Sequence, residues 1–291
     1  MDLPRSTVLV PRLEVLETAG STNAELVERA SGADAASWPD LSVIVTDHQT
    51  AGRGRLGRSW TAPAGTSLAI SVLLRPGLPR EGREPEGFVA VPAAPALGYC
   101  PPVPIASPDA ADELVHDSLG WIPLLAGLAT TRAVRSLGAP ATLKWPNDVL
   151  IGDKKVSGIL SELLPAAAGV VVGVGLNLSI PADELPVDTA TSLLVAGVSA
   201  EADAALVAFL TEFTGVYRAF VAAGGDVQAS GLRAAVVEAC DTLGRSVRVQ
   251  LPAGEPLLGT AVDIDTSGRL VVEANGRRTA VAAGDVTHLR Y

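Results

Sequence analysis

A proline block in the middle of the chain limits what can fold here more than any other feature. Between Pro76 and Pro108 lie nine of the 21 prolines, with Gly, Ala and Glu between them and no hydrophobic period. Such a composition cannot bury enough apolar surface to offset the entropy of ordering. Residues 76–117 are therefore expected to form a largely disordered surface insertion. Any ordered unit must be assembled from chain on both sides of it. With 291 residues, 48% of the chain hydrophobic and 19% charged, there is ample material for a core.

Upstream of the block, Leu13–Leu16 and Leu41–Thr46 read as strands, and Ser21 or Thr22 caps a helix that opens at Ala24-Glu25. Ser67–Leu74 is a continuous apolar strand. Downstream, Trp121–Leu137 is an apolar helix stopped by Gly138 and Pro140. Ala141–Lys144, a turn at Trp145-Pro146-Asn147-Asp148, Val149–Ile151, a hairpin at Gly152-Asp153 and Val156–Leu163 follow. Gly169–Leu178 supplies one more buried strand. Leu206, Phe209, Leu210, Phe213, Tyr217 and Phe220 share one face of a helix at 201–222, and a second helix runs near 229–240. From Gly244 the pattern changes. Short Val-rich runs separated by Pro252-Ala253-Gly254, Thr266-Ser267-Gly268 and Asn275-Gly276 predict a small β-barrel of about five strands. The expected organisation is an α+β domain at 12–240, built on a mixed sheet with flanking helices, followed by an all-β domain at 244–291.

The formal net charge of -10 argues against broad binding of DNA or RNA. Cys100 and Cys240 form no CxxC pair and no disulfide framework, which fits a reducing, cytoplasmic setting. No cationic start precedes an apolar run, and no run approaches the roughly 20 residues of a membrane span. A soluble cytoplasmic protein is expected, with neither DNA nor membrane as partner.

Against that acidic background, Gly52-Arg53-Gly54-Arg55-Leu56-Gly57-Arg58-Ser59-Trp60 concentrates three arginines in six positions. Glycines let the backbone approach a ligand closely, and guanidinium forks match phosphate and carboxylate oxygens. The stretch contains G-x-G-x-x-G, but a strand and not a helix follows it, so the dinucleotide reading fails on context. No G-x-x-x-x-G-K-[ST] is present, and His48, His116 and His288 lack zinc-ligand spacing and any G-x-S-x-G partner. What remains is a cationic site that positions reactants and neutralises charge. A second cluster is Lys144-Trp145-Pro146-Asn147-Asp148. Turn chemistry explains its last three residues, but Lys144 at the end of an apolar strand is costly without an anionic partner. Lys155-Val156-Ser157-Gly158-Ile159-Leu160 and Gly173-Val174-Gly175-Leu176-Asn177-Leu178 place glycines inside strands, a mark of a bulge or of a ligand pressed on the backbone.

Together with Ser21-Thr22-Asn23 and Asp47-His48-Gln49-Thr50-Ala51, these clusters resemble the biotin–protein ligases, in that family's order and over most of 12–240. The small β domain also belongs to the family pattern. The resemblance implies a catalytic fold like that of class II aminoacyl-tRNA synthetases with an SH3-like barrel after it. It implies that Ser21, Thr22 and Asn23 line a biotin pocket and that Gln49 bonds the ureido head. Arg53, Gly54 and Arg55 would lie over the biotin carboxylate and the α-phosphate of ATP. Lys144 would face the same anions and, with Arg55, carry catalysis. Gly158 would offer backbone close to biotin, and Asn177 would stand on the adenylate side.

The implied reaction joins biotin and ATP, with Mg2+ shielding the phosphates, into biotinyl-5′-AMP and pyrophosphate. A lysine of a biotin carboxyl carrier domain then takes the biotinyl group and AMP leaves. Only 20 residues precede Ser21, so the DNA-binding domain that many members carry is not expected, nor is a repressor role. A homodimer is left open. Two other readings compete: a lipoate–protein ligase of the same fold, whose Arg-Arg pair before a Gly-Gly run is absent here, and a non-catalytic biotin or nucleotide sensor.

Overall fold

The computed structural model describes residues 1–76, 119–165, 168–251, 255–282 and 284–289. Almost all of the proline-rich segment 76–117 thus lies outside the described residues. Along the chain come β1 (Leu13–Val15), β2 (Val43–Thr46), a short ribbon of β3 (Gly52–Arg53) and β4 (Ser59–Trp60), and β5 (Ser67–Leu74). After the proline block follow β6 (Ala141–Lys144), β7 (Asp148–Ile151), β8 (Lys154–Leu163) and β9 (Val170–Asn177). All but the ribbon join one sheet of seven strands, in the order β1-β2-β5-β9-β8-β7-β6. Only β1 and β2 run parallel; the other pairs are antiparallel.

β5 and β9 are buried in the middle of this sheet, as expected for continuous apolar runs, and the pleat sorts their side chains between two layers. Val72 and Leu74 face a large core with α3 (Ile122–Ser136) and α4 (Ala202–Ala222), while Leu73, Ile44 and Val171 face α2 (Thr22–Ser31). α4 turns Leu206, Phe209, Leu210, Phe213, Tyr217 and Phe220 inward, all buried, as the sequence spacing predicts. At the N-terminus a single turn, α1 (Pro4–Thr7), is fixed to α4 where Asp203 accepts the backbone N–H of Ser6 at 3.0 Å. The helix expected near 229–240 is α5 (Leu232–Ala239); it starts late because Gly231 is left-handed (φ 72°).

The C-terminal residues form a second, antiparallel sheet from β10 (Ser246–Gln250), β11 (Leu257–Ile264), β12 (Leu270–Ala274), β13 (Arg277–Val281) and β14 (Asp285–His288). Its β12–β13 hairpin turns on Asn275-Gly276, both at positive φ (51° and 73°), as that dipeptide requires. The sheet is fastened to the first. Trp145 donates its backbone N–H to Thr242 and its indole N–H to the carbonyl of Gly268, each at 3.0 Å. Trp121 donates to the carbonyl of Thr266 at 2.7 Å. Val247, Val249, Ala261 and Ile264 join the same core as α3 and α4.

β8 differs from expectation at one point that matters for the site. Leu150 pairs with Lys155 and Val149 with Ser157, so Val156 is an extra residue, a β-bulge.

Candidate active site

A row of paired positions crosses the α2 face of the large sheet: Ala69 on β5, Gly175 on β9, Gly158 on β8, Asp148 on β7 and Lys144 on β6. Its first three members have little or no side chain, so the sheet has a flat floor there. A Cβ on Gly175 would lie 2.5 Å from Cε2 of Trp60, and one on Gly173 would lie 2.3 Å from Oδ1 of Asn23. A Cβ on Gly158 would meet the Lys155 ammonium at 2.7 Å. The strand glycines are thus explained first by the protein's own side chains, which need that space. A cleft opens over this floor.

The first turn of α2 forms one wall. Gln49 Oε1 accepts the backbone N–H of Thr22 at 2.9 Å and its hydroxyl at 3.2 Å. Ser71 donates to Asn23 Oδ1 at 2.6 Å. Asn23 in turn donates to the carbonyl of Leu160 at 3.1 Å and to Glu162 Oε2 at 2.7 Å. Both halves of the Asn23 amide are therefore used inside the protein, and the residue fixes the wall. Ser21, Thr22, Asn23 and Gln49 all line the cleft.

The opposite wall carries the charge. Arg53 pairs with Glu162 at 3.1 Å. Arg55 donates to Asn147 Oδ1 at 2.8 Å and to the carbonyl of Gly284 at 3.4 Å, which ties the arginine loop to the C-terminal sheet. Arg58 turns away from the floor and pairs with Asp285. Burial lowers the pKa of Arg55, an effect that the carboxylates of Asp148 and Asp285 oppose. Lys155 pairs with Asp148 at 2.6 Å. In a regular strand, Lys155 and Gly158 would project to opposite faces. The bulge at Val156 removes one step of the alternation and brings Lys155 onto the cleft face.

Lys144 stands elsewhere. It is the outermost member of the row, separated from the floor by Asp148, and it is not among the described residues that line the cleft. Its charge, with burial the larger cause, helps push His288 of the C-terminal sheet down to about 4. Asn177 is also set apart. It is buried, donates to the carbonyl of Thr191 at 2.8 Å and accepts the N–H of Leu193 at 3.1 Å. It thereby anchors segment 189–193, whose Thr189 and Thr191 bond the backbone of Lys155. Gly54 and Gly158 line the cleft, so the expected set assembles except for Lys144 and Asn177.

Four residues in or beside the cleft carried no role in the sequence reading: Lys155, Asn147, Trp60 and Glu162. Lys155 and Asn147 sat inside recognised clusters, and Trp60 closes the arginine stretch. Their aim depends on a bulge, a turn and a cross-strand pairing.

Two further cavities adjoin the cleft. One lies between Trp145, Pro146 and Asn147 on one side and Ser267, Gly268 and Arg269 on the other. The other is an outer groove between the arginine loop and residues 160–162 of β8. Arg55 lines all three spaces.

Comparison with known proteins identifies the family. Residues 21–91 and 114–177 match the Biotin/lipoate A/B protein ligase family, and 242–289 match the Biotin protein ligase C terminal domain. The biotin–[acetyl-CoA-carboxylase] ligase of Mycobacterium tuberculosis is 39% identical, over 96% of this chain and 90% of its own. The bifunctional ligase/repressor BirA of Escherichia coli is 30% identical over 57% of this chain and 40% of its own. The biotin protein ligase of Aquifex aeolicus, solved with biotin and ATP, shares the fold at a TM-score of 0.68, with 23% identity, covering 97% of this chain and 100% of that one. The chain belongs to the biotin protein ligase family.

Proposed function

We propose that biotin lies over Ala69, Gly158 and Gly175 with its carboxylate toward Lys155, Arg53 and Arg55, and that ATP enters the cavity beside Trp145–Asn147. The enzyme activates biotin as biotinyl-5′-AMP and transfers it to a lysine of a biotin carboxyl carrier domain. The observation that carries the residue assignment is the junction at Arg55, whose guanidinium borders both the cleft and the adjoining cavity. Joining a carboxylate to a phosphate brings two anions together. At about 4 Å and an effective dielectric of about 20 they repel by about 4 kcal/mol. Lys155 and Arg55, fixed by Asp148 and Asn147, offset that repulsion without reorganising.

Ser21, Thr22 and Gln49 would satisfy the ureido group, whose bonds left unmade in an apolar cleft cost about 1–3 kcal/mol each. Asn23 would hold the wall, and Asn177 would act through segment 189–193. Lys155 takes the role that the sequence assigned to Lys144. Residues 12–240 would supply the catalytic unit and 244–291 the part that braces the arginine loop. No covalent enzyme intermediate is needed, because the adenylate itself is the activated species.

Among the described residues no group of three or more His, Cys, Asp or Glu side chains could cage a metal ion. The donors suit a magnesium ion carried by the nucleotide, which keeps phosphate oxygens and waters and asks one or two carboxylates of the protein. Asp148 is the carboxylate in place beside Lys155. Such an ion would shield phosphate charge.

The test is biotin-dependent exchange of labelled pyrophosphate into ATP, followed by mapping of biotin on a carrier-domain lysine. Both are expected with biotin and neither with lipoate. Exchange with lipoate alone, or biotin binding without exchange, would overturn the reading.

A further inference from the structure

Two small substrates account for two of the three spaces that meet at Arg55, and the outer groove is left over. It shares Arg53, Gly54, Arg55 and Leu160 with the inner cleft, so the arginine loop and β8 divide them. Its lining is strongly cationic, with Arg53, Arg55 and Arg58 on one side. Among the described lining residues Glu162 is the single carboxylate, and it stands at the end nearest the cleft wall. We propose that this groove admits the acceptor lysine and that Glu162 receives its ammonium group. The proposal rests on the two-step ligation described above.

The hydrogen bonds of Glu162 suit it to that part. Its Oε2 is shared between Asn23, at 2.7 Å, and Arg53, at 3.1 Å. Asn23 is buried and locked by Ser71 and Leu160, so its bond keeps the carboxylate in place whatever Arg53 does. Arg53 is far freer, with its side chain 47% exposed. A substrate carboxylate or phosphate in the cleft competes with Glu162 for Arg53. Once Arg53 has turned to the adenylate, Glu162 carries an uncompensated charge at the inner end of the groove. A lysine ammonium then replaces the guanidinium as its partner. Without that carboxylate, an ammonium would approach a lining of like charge.

This exchange of partners also orders the reaction, because the acceptor's counter-charge is exposed only when the cleft is filled. In the transfer step the amine nitrogen forms the amide bond as the acyl C–O bond to phosphate breaks. One ammonium proton first passes to Glu162 and on to solvent, which frees the nitrogen lone pair for attack. AMP leaves with the electron pair of the broken bond, and the second N–H proton follows to the departing phosphate or to solvent.

The experiment compares Glu162→Gln and Glu162→Lys with the parent in the full chain, using three readouts: pyrophosphate exchange, capture of preformed adenylate by hydroxylamine, and transfer to a carrier domain. Hydroxylamine is small and neutral at pH 7 and needs no counter-charge. The amide of Glu162→Gln can still accept from Asn23. In Glu162→Gln, exchange and hydroxylamine capture should change by no more than about threefold while kcat/KM for the carrier domain falls about tenfold. In Glu162→Lys, which also removes the acceptor for Asn23, transfer should fall further than either other readout. Transfer that falls no more than hydroxylamine capture would overturn the proposal. So would an equal fall in exchange, which would mean that Glu162 acts only through Asn23 and Arg53. Absence of exchange in the parent protein would instead overturn the ligase reading itself.

Discussion

Lys144 and Lys155 flank the same carboxylate, yet they belong to different regions of the molecule. Lys144 ends an edge strand, pairs across β6–β7 with Asp148, and acts through its charge on His288 of the C-terminal sheet. Lys155 lies 11 residues further on, in a bulged strand between Asp148 and the glycine floor. The first position is where regular strand geometry puts a side chain. The second exists only because Val156 is extra. A one-residue irregularity therefore decides which cation can meet a substrate anion.

The strongest way to break this contrast is to remove each ammonium in turn. Lys155→Ala should slow pyrophosphate exchange by about a thousandfold, the equivalent of about 4 kcal/mol of unscreened repulsion. Lys144→Ala should slow it by less than about tenfold, since its charge acts from outside the cleft. Similar losses in both would erase the distinction.

A smaller effect is expected from crowding the floor. Gly175→Ala would place a methyl 2.5 Å from Trp60 Cε2 and push the indole off the sheet. KM for biotin should rise by about ten- to a hundredfold, while the melting temperature changes little. Unchanged KM would mean that the floor is not where biotin lies.

At the rim, Arg58 and Asp285 form an exposed pair, with side chains 62% and 42% accessible. Such pairs contribute about 1 kcal/mol or less. Arg58→Ala and Asp285→Asn should each speed escape of biotinyl-AMP by no more than about fivefold, and the double variant should do no more than either alone. Additive losses would show that the pair does not act as a unit.

The subtlest effect lies on the Lys144 side. His288 is held neutral in the fold, near 4 against an ordinary 6.5, mainly by burial and then by Lys144 and Arg245. The unfolded chain binds the proton first, so stability falls as pH drops from 6.5 toward 4 and levels off below. Lys144→Ala should raise the His288 pKa and make that fall shallower, as read by imidazole NMR titration and by melts across that range. A His288 pKa that ignores Lys144 would remove the two residues from one another's neighbourhood.

Much of the scaffold was legible because it follows from local pattern. The apolar run Ser67–Leu74 is β5 residue for residue, and the 3.6-residue spacing from Leu206 to Phe220 gives the buried face of α4. The C-terminal strands were readable from the turns between them. The site was legible as composition, and Ser21, Thr22, Gln49, Arg53 and Arg55 do converge on one cleft. Its aim was not. The Val156 bulge depends on pairing with β7, and the row from Ala69 to Lys144 depends on register across five strands, neither of which spacing along the chain encodes. Trp60 settles on the floor because Gly158 and Gly175 fall side by side, although 17 residues separate them in sequence.

A structure of the enzyme with biotinyl-5′-AMP bound tests the contrast between the lysines most directly. Lys155 Nζ should lie about 3 Å from an oxygen at the acyl–phosphate junction, with Arg55 on the phosphate and Lys144 clear of the ligand. Lys144 on the phosphate, with Lys155 still paired to Asp148 and clear of the ligand, would contradict it.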